Sequence, residues 1–355
     1  TIITYEHSGI TNTGKPRFAR YIRKRCDVVI KESTKQGTDK INNIICIFYK
    51  LAEYEKTQSN GVFKIKAYNK AIKSLKNLTD DSKIFTENLE GVGPGLIEKI
   101  KQIFETGTCD LYEKIKHTPN PKMEFINIHG VGPKKADELV NSGFTSINDL
   151  RNCEDINSVL NDVQIKGLNH YEHLLKKIPR SEIEKHEKLL KRMLHKIDQS
   201  AELTIAGSYR RNKSESGDID VLLKCEDKNT FLNFINKLKE QKYLIEDLAL
   251  GNKKYNGISK LGKKGVGRRI DIMYTKPEEY PFAILYFTGS GDFNKNMREQ
   301  ILQKGMTINE YGLRYTDTNP GSTHHRKKPV EHTFHTEQDI FTYLDMPYTL
   351  PQDRI

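Results

Sequence analysis

Residues 207–223 read GSYRRNKSESGDIDVLL. A short apolar run opened by two aspartates one residue apart reads as a strand. Side chains alternate faces along a strand, so Asp218 and Asp220 share one face while Ile219 and Val221 take the other. Ahead of them lie Gly207–Ser208 and Arg210–Arg211. Gly207 lets the backbone approach an anion such as phosphate, and Ser208 and an arginine supply donors to it. A second strand-like stretch, RRIDIMY (268–274), sets Asp271 between Ile270 and Ile272. If the two strands are neighbours, three carboxylates converge, and they repel one another unless a cation sits among them. Isolated, an Asp-x-Asp pair is better explained as solvated strand ends. The upstream Gly-Ser and arginines shift the reading toward phosphate chemistry.

Outward from this stretch the chain changes character. SEIEKHEKLLKRMLHKI (181–197) has helical spacing, and LTIAG, DIDVLL and RRIDIMY read as strands, with FLNFINKLKEQ (231–241) a helix between the last two. GISKLGKKGVG (257–267) reads as turns or a hairpin tip. YFTGS (286–290) reads as an apolar strand ending in a glycine turn, followed by an amphipathic helix, FNKNMREQILQKG. Residues 38–178 are helical in pattern. Within them LEGVGPGLIEKIKQIFETG (89–107) and IHGVGPKKADELVNSGF (128–144) form a partial repeat: an apolar residue, then G-V-G-P, then a helix. A glycine turn of this kind exposes successive N–H groups to a DNA phosphate and reads backbone rather than sequence. Alone, each is equally a tight interhelical turn. Residues 1–36 carry eight Lys/Arg against three acids without clear periodicity and read as a basic arm.

Composition agrees with a soluble globular chain of several domains: 355 residues, 36% hydrophobic and 30% charged. No apolar run is long enough for a membrane span, and the first residues lack the apolar core of a signal peptide. A net charge of +11 suits a polyanionic partner, nucleic acid first. A lysine-rich solvated surface explains that charge about equally well. The five cysteines (Cys26, Cys46, Cys109, Cys153, Cys225) form no CxxC pair, which fits a reducing intracellular compartment. His324–His325 reads as a basic loop, and His170 and His173 as surface residues of an amphipathic helix.

GSYRR…SGDIDVLL, RRIDIMY and LYFTGSGDFNKNMREQILQKGMTINEYGLR, with both GVGP segments and the KKIPR junction at 176–180, closely resemble the family X DNA polymerases of the polymerase beta type. The resemblance runs from about residue 38 to the end. It implies an α+β multidomain fold: a helical N-terminal domain with two helix-hairpin-helix motifs, a nucleotidyltransferase palm with a mixed or antiparallel sheet, and a C-terminal α/β subdomain. The expected boundaries are 1–36 (arm), 37–117 (lyase-like), 118–180 (DNA-binding), 181–285 (palm) and 286–355 (nascent base pair).

The resemblance also implies roles. Asp218, Asp220 and Asp271 would bind two Mg2+, with Mn2+ able to substitute, and Asp271 would help activate the primer 3′-hydroxyl. Arg269 would stand beside them on the DNA side. Gly207, Ser208, Arg211, Ser216 and Gly217 would hold the β- and γ-phosphates of the incoming nucleotide. Tyr286, Phe287 and Gly289 would pack by its sugar, and Asn294 and Arg298 would probe the minor-groove edge of the new pair. For Tyr286 and Phe287 the residues alone favour core packing. Gly291 departs from the family pattern, which has an aspartate contacting the incoming base at that place.

In the hairpins, Gly91, Gly93, Gly130 and Gly132 would face DNA. The carbonyls of Leu89 and Val92, and of Ile126, Ile128 and Val131, would hold a monovalent cation (K+ or Na+). Lys99 would attack an abasic sugar phosphate as a Schiff-base nucleophile, with Lys64 and Tyr68 binding and positioning the phosphate. A lysine must be deprotonated to attack, and its ordinary pKa is about 10.4. Lys99 is also one helical lysine among many. Gly95, Leu111 and Phe63 stand where the family often has two lysines and a histidine.

The resemblance thus implies a monomeric, template-directed polymerase that fills short gaps in base excision repair, with 5′-deoxyribose phosphate lyase activity. Its partners would be gapped or nicked duplex DNA and deoxynucleoside triphosphates, without a membrane. End-joining or template-independent addition is the near alternative. That activity usually goes with a phosphopeptide-binding N-terminal domain, for which about 36 residues are too few. A non-catalytic DNA-end scaffold is the distant one, and the three aspartates argue against it.

Overall fold

The computed structural model describes residues 3–6, 20–24, 38–58, 60–116, 120–316 and 328–354. They divide into two compact units, Thr1–Ile126 with Gly132–Thr145, and Asn127–Val131 with Ser146–Ile355. No helix among them is long and apolar enough to cross a membrane. The His324–His325 loop lies outside the described residues.

In the first unit, β1 (Ile3–Glu6) pairs antiparallel with β2 (Arg20–Lys24), so part of the expected arm is ordered as a two-stranded ladder. Helices α1 (Asp39–Glu55), α2 (Gly61–Lys76), α3 (Pro94–Thr106) and α4 (Asp110–Ile115) form the helical core. The spacing of Ile41, Ile44, Phe48 and Leu51 gives α1 one apolar stripe, which packs on Tyr68, Ala71, Ile72 and Leu75 of α2. The free N–H groups at the start of α1 are met from a distance. The Asp81 carboxylate accepts from Lys40 N at 3.1 Å and Ile41 N at 2.9 Å. α5 (Pro121–Ile126) and α6 (Pro133–Asn141) complete this unit.

The second unit begins with short helices α7 (Ile147–Arg151), α8 (Ile156–Val159), α9 (Asp162–Asn169) and α10 (Tyr171–Leu174). Two-residue strand β3 (Ile178–Pro179) leads into α11 (Arg180–His195). β4 (Glu202–Ile205), the single turn α12 (Gly207–Arg210), β5 (Glu215–Ser216), β6 (Ile219–Lys224), α13 (Lys228–Glu240), β7 (Leu244–Leu250), β8 (Lys254–Ser259) and β9 (Arg268–Thr275) follow. They build a five-stranded sheet of order β4-β6-β9-β8-β7, and β3 pairs with β5 apart from it. The sheet is mixed, since β6 and β9 run parallel and the other pairs antiparallel.

Alternation decides its two faces. Ile219, Val221 and Leu223 of β6, with Ile270, Ile272 and Tyr274 of β9, face a core shared with Phe231 and Phe234 of α13 and Leu190 of α11. Asp220 and Asp271 therefore take the opposite face, where Leu222 packs against Ala283 and Ile284 of α14 (Tyr280–Thr288). Helix α15 (Gly291–Gln303), hairpin β10 (Met306–Asn309)–β11 (Gly312–Tyr315) and α16 (Glu337–Tyr343) close a last apolar cluster around Phe282, Met297, Ile301 and Phe341.

Two expectations are corrected. YFTGS is not a strand: Tyr286 and Phe287 are the end of helix α14. Its residues are apolar on nearly every side, so no period was available to choose between helix and strand. His170 and His173 are half-buried rather than surface residues. His170 Nε2 lies 3.6 Å from Glu246, and His173 Nδ1 accepts from Gly267 N at 3.3 Å.

The core also holds His186 of α11, fully buried, its Nδ1 2.6 Å from the Tyr243 hydroxyl. Burial pushes its pKa from 6.5 down to about 4, against the opposing pull of Glu182. The unfolded chain therefore binds a proton that the folded chain refuses between those values. Stability falls as pH falls from 6.5 toward 4, by up to about 3 kcal/mol at the lower end. Urea midpoints measured across this range should show that slope, and His186→Met should flatten it whatever it does to the midpoint at pH 8.

Candidate active site

The parallel ladder between β6 and β9 pairs Asp220 directly with Asp271. Asp218 stands one residue ahead of β6. One carboxylate oxygen from each of the three lies within 4.8 Å of the others. Burial, and then the neighbouring Asp271, push the Asp220 pKa up to about 6. Asp271 Oδ1 accepts from Asn256 Nδ2 at 2.5 Å, and its Oδ2 lies 4.0 Å from Lys254 Nζ. Arg269 forms an ion pair with Asp218, and its Nε is buried without a partner among the described residues. His129, of the turn at Asn127–Val131, is held below its usual pKa by burial and by Arg269.

Three converging carboxylates form an all-oxygen donor set, which fits a hard divalent cation that would offset their mutual repulsion and the burial of Asp220. The donor set therefore fits the magnesium ions that the resemblance implies.

Gly207 meets a steric demand beyond the expected one. Its φ is +55, and a Cβ there would collide with the Asp220 carboxylate. The glycine makes room for the aspartate as much as for any phosphate. Ser208 follows in α12, half-buried. Ser216 is buried and its hydroxyl lacks a partner among the described residues, which leaves a donor ready for an acceptor from outside the chain. Gly217 joins Ser216 to Asp218. Arg211 donates to the Thr288 carbonyl at 2.5 Å, next to Gly289. A crevice lined by Asp220, Lys254, Asp271 and Phe287 connects the carboxylates to α14.

Beyond it lies a cleft of about 330 Å³ lined by Tyr286, Gly291, Asn294, Lys295, Arg298 and Leu302. Asn294 Nδ2 donates to the Tyr286 carbonyl at 2.8 Å, and the Arg298 guanidinium lies 5.0 Å from the Tyr286 ring centre. The Tyr286 and Phe287 rings meet edge to face at 5.1 Å. Gly291 has open space where a side chain would go.

The first hairpin turns at Gly91, φ +71, and the second at Gly130, φ +85, conformations that glycine adopts without strain. Val92 N donates to the Leu89 carbonyl at 3.1 Å and Val131 N to the Ile128 carbonyl at 3.0 Å. Each of those carbonyls keeps one lone pair. Ile126 is the last residue of α5. Gly93 and Gly132 stand just ahead of α3 and α6, each of which begins with proline.

Lys99 of α3 is half-buried, with no ion pair or hydrogen bond among the described residues. Lys64 pairs with the buried Glu55 at 3.1 Å. Tyr68 is a core residue, its ring 5.2 Å from Phe48, and burial with Glu55 pushes its pKa up to about 12.

Three residues of the site went unread in the sequence. Lys254 and Asn256 alternate with the buried Tyr255 along β8, so period two alone would have placed them on one face. Arg210 was given no role of its own beside Arg211. It donates to Thr288 Oγ1 at 2.7 Å and to Glu337 at 3.0 and 3.1 Å.

Comparison with known proteins agrees with this geometry. Four family models match: a helix-hairpin-helix domain over residues 42–109, the fingers domain of DNA polymerase lambda over 123–175, the DNA polymerase beta palm over 177–277 and the DNA polymerase beta thumb over 283–355. The chain is 30% identical over 305 residues to DNA polymerase lambda of Rattus norvegicus, covering 81% of this chain and 52% of the relative. It is 26% identical over 284 residues to DNA polymerase lambda of Arabidopsis thaliana (76% and 53%). It is 25% identical over 310 residues to DNA nucleotidylexotransferase of Xenopus laevis (76% and 59%). The chain thus spans about half the length of the curated relatives it matches. With its helix-hairpin-helix, fingers, palm and thumb regions in this order, the chain belongs to the family X DNA polymerases.

Proposed function

We propose that the chain is a template-directed DNA polymerase that fills short gaps, and that it acts on deoxynucleoside triphosphates at the Asp218–Asp220–Asp271 centre. The observation that carries this reading is the in-register pairing of Asp220 with Asp271, with Asp218 beside them. Two Mg2+ held by these carboxylates would stabilise charge on the attacking and leaving oxygens. The chain's own groups do the rest. Asn256 fixes the Asp271 carboxylate toward the primer 3′-hydroxyl. Arg269 balances Asp218 at the DNA side. Ser208, Arg211, Ser216 and the backbone at Gly217 take the triphosphate tail. Asn294 and Arg298 present polar groups to the minor-groove edge of the new pair, over the floor made by Tyr286 and Phe287. A monovalent cation would use the remaining lone pairs at Leu89 and Ile128.

Rapid filling of a one-nucleotide gap, with slow extension of a single-stranded 3′ end, is the expected result in a primer-extension assay. The reverse order would favour untemplated addition, the reading suggested by the nucleotidylexotransferase relative.

The helical unit adds a lyase step. Lys99 Nζ attacks C1′ of the ring-opened abasic sugar, and water leaves to give a Schiff base. Loss of a C2′ proton then breaks the C3′–O bond and frees the 5′-phosphate of the DNA strand, and water hydrolyses the Schiff base to release the unsaturated sugar phosphate and restore the lysine. Borohydride should trap a covalent adduct on gapped DNA bearing that group, and Lys99→Ala should abolish it. A retained adduct would move the nucleophile, Lys64 being the nearest candidate in role.

A further inference from the structure

Helix α2 carries Lys64, Lys66, Lys70, Lys73 and Lys76 and no acid. Two of these are engaged, Lys64 with Glu55 at 3.1 Å and Lys76 with the Tyr49 hydroxyl at 2.8 Å. Lys66, Lys70 and Lys73 are exposed and have no acidic partner among the described residues. Steps of four and three residues put them on one helix face, spread along about 10 Å of its axis. Phe63, 82% exposed, heads the same face.

The row runs beside the first hairpin. Ser74 Oγ donates to the Glu90 carbonyl at 3.0 Å, and a Cβ on Gly91 would stand 3.4 Å from Lys70 Cδ. The Lys70 stem therefore lies across the hairpin glycine. Nearby, α3 begins Pro94–Gly95 and α4 carries Leu111, so neither position offers a cationic side chain.

We propose that the Lys66–Lys70–Lys73 face of α2 is a track for DNA backbone continuous with the first hairpin. Lys70, whose stem lies against Gly91, supplies a cation at the hairpin mouth. The inference rests on the gap-filling reading of the chain. Its ligand is the phosphodiester backbone beside the gap, and the exposed ring of Phe63 is placed to stack on an unpaired base there. An acidic protein surface would satisfy the lysines but leave the unpartnered aromatic and the adjoining backbone N–H turn without a purpose.

The test is the affinity of the full chain for fluorescent DNA with a one-nucleotide gap and a 5′-phosphate, measured over a series of salt concentrations. Each lysine–phosphate contact contributes about 0.9 to the slope of log K against log salt. The combined Lys66→Gln, Lys70→Gln, Lys73→Gln variant should bind at least about tenfold more weakly at low salt, with a slope shallower by about 2 to 3. Lys50→Gln, which removes an exposed lysine of α1, should leave the slope within one contact of wild type. A triple variant with the wild-type slope overturns the track. If the wild-type chain shows no preference for gapped over intact duplex, the gap-filling reading itself fails. A clear wild-type preference that the triple variant keeps in full overturns this inference alone.

Discussion

Asp271→Asn should abolish nucleotide addition while leaving the fold intact or slightly firmer. The substitution keeps the shape of the side chain, and an amide oxygen can still accept from Asn256, which now donates at 2.5 Å. It removes the charge that, after burial, holds the Asp220 pKa up at about 6. The folded state thereby loses a like-charge repulsion. With Asp271 in its proposed role as cation ligand beside the attacking hydroxyl, the expected loss is on the order of 10³–10⁴ in rate, or about 4–5.5 kcal/mol of barrier. Single-turnover gap filling and a thermal melt on the same preparation separate the two effects. A drop in melting temperature that accounts for the lost activity would mean that Asp271 is structural.

The second large effect is expected from Glu337→Gln. Glu337 is 6% exposed and accepts from Arg210 at 3.0 and 3.1 Å, from Arg354 at 2.9 and 3.3 Å, and from the Tyr348 hydroxyl at 2.6 Å. Burial raises its pKa, but hydrogen bonds from Arg210, Arg354 and Tyr348 outweigh that and bring it below the usual carboxylate value. Glutamine leaves two arginines, one of them fully buried, facing a neutral amide. Removing one partner of such a network costs about 3–5 kcal/mol, which lowers the melting temperature by on the order of 10 °C in a unit of this size. Arg210 also donates to Thr288, so the loss loosens the turn at Gly289 that Arg211 holds, and nucleotide KM should rise. Glu299→Gln, at the exposed Lys295–Glu299 pair 3.5 Å apart, should cost less than about 1 kcal/mol and serves as the control.

How much of this was legible depended on whether a residue's role was local. Alternation within DIDVLL and RRIDIMY put the aspartates on one face, and the ladder brought the two strands side by side in register. The two G-V-G-P turns announced their positive φ through glycine itself. Helix α14 was unreadable because a nine-residue buried helix and a buried strand share one signature, an unbroken apolar run. Part of what Gly207 does was hidden, because the Asp220 carboxylate that its missing Cβ accommodates lies on another element. Arg210 and Glu337 are separated by 127 residues, and no local pattern marks an arginine whose partner lies that far along the chain. His170 and His173 read as surface because an amphipathic period shows which face is polar, not whether a β-hairpin lies against it.

The most direct test of the central claim is incorporation of each of the four deoxynucleotides, with Mg2+, into a one-nucleotide gap whose templating base is varied. The complementary nucleotide should enter in each case, chelation should stop it, and the Asp220→Asn chain should not support it. Incorporation indifferent to the templating base, or persisting in the Asp220→Asn chain, would contradict it.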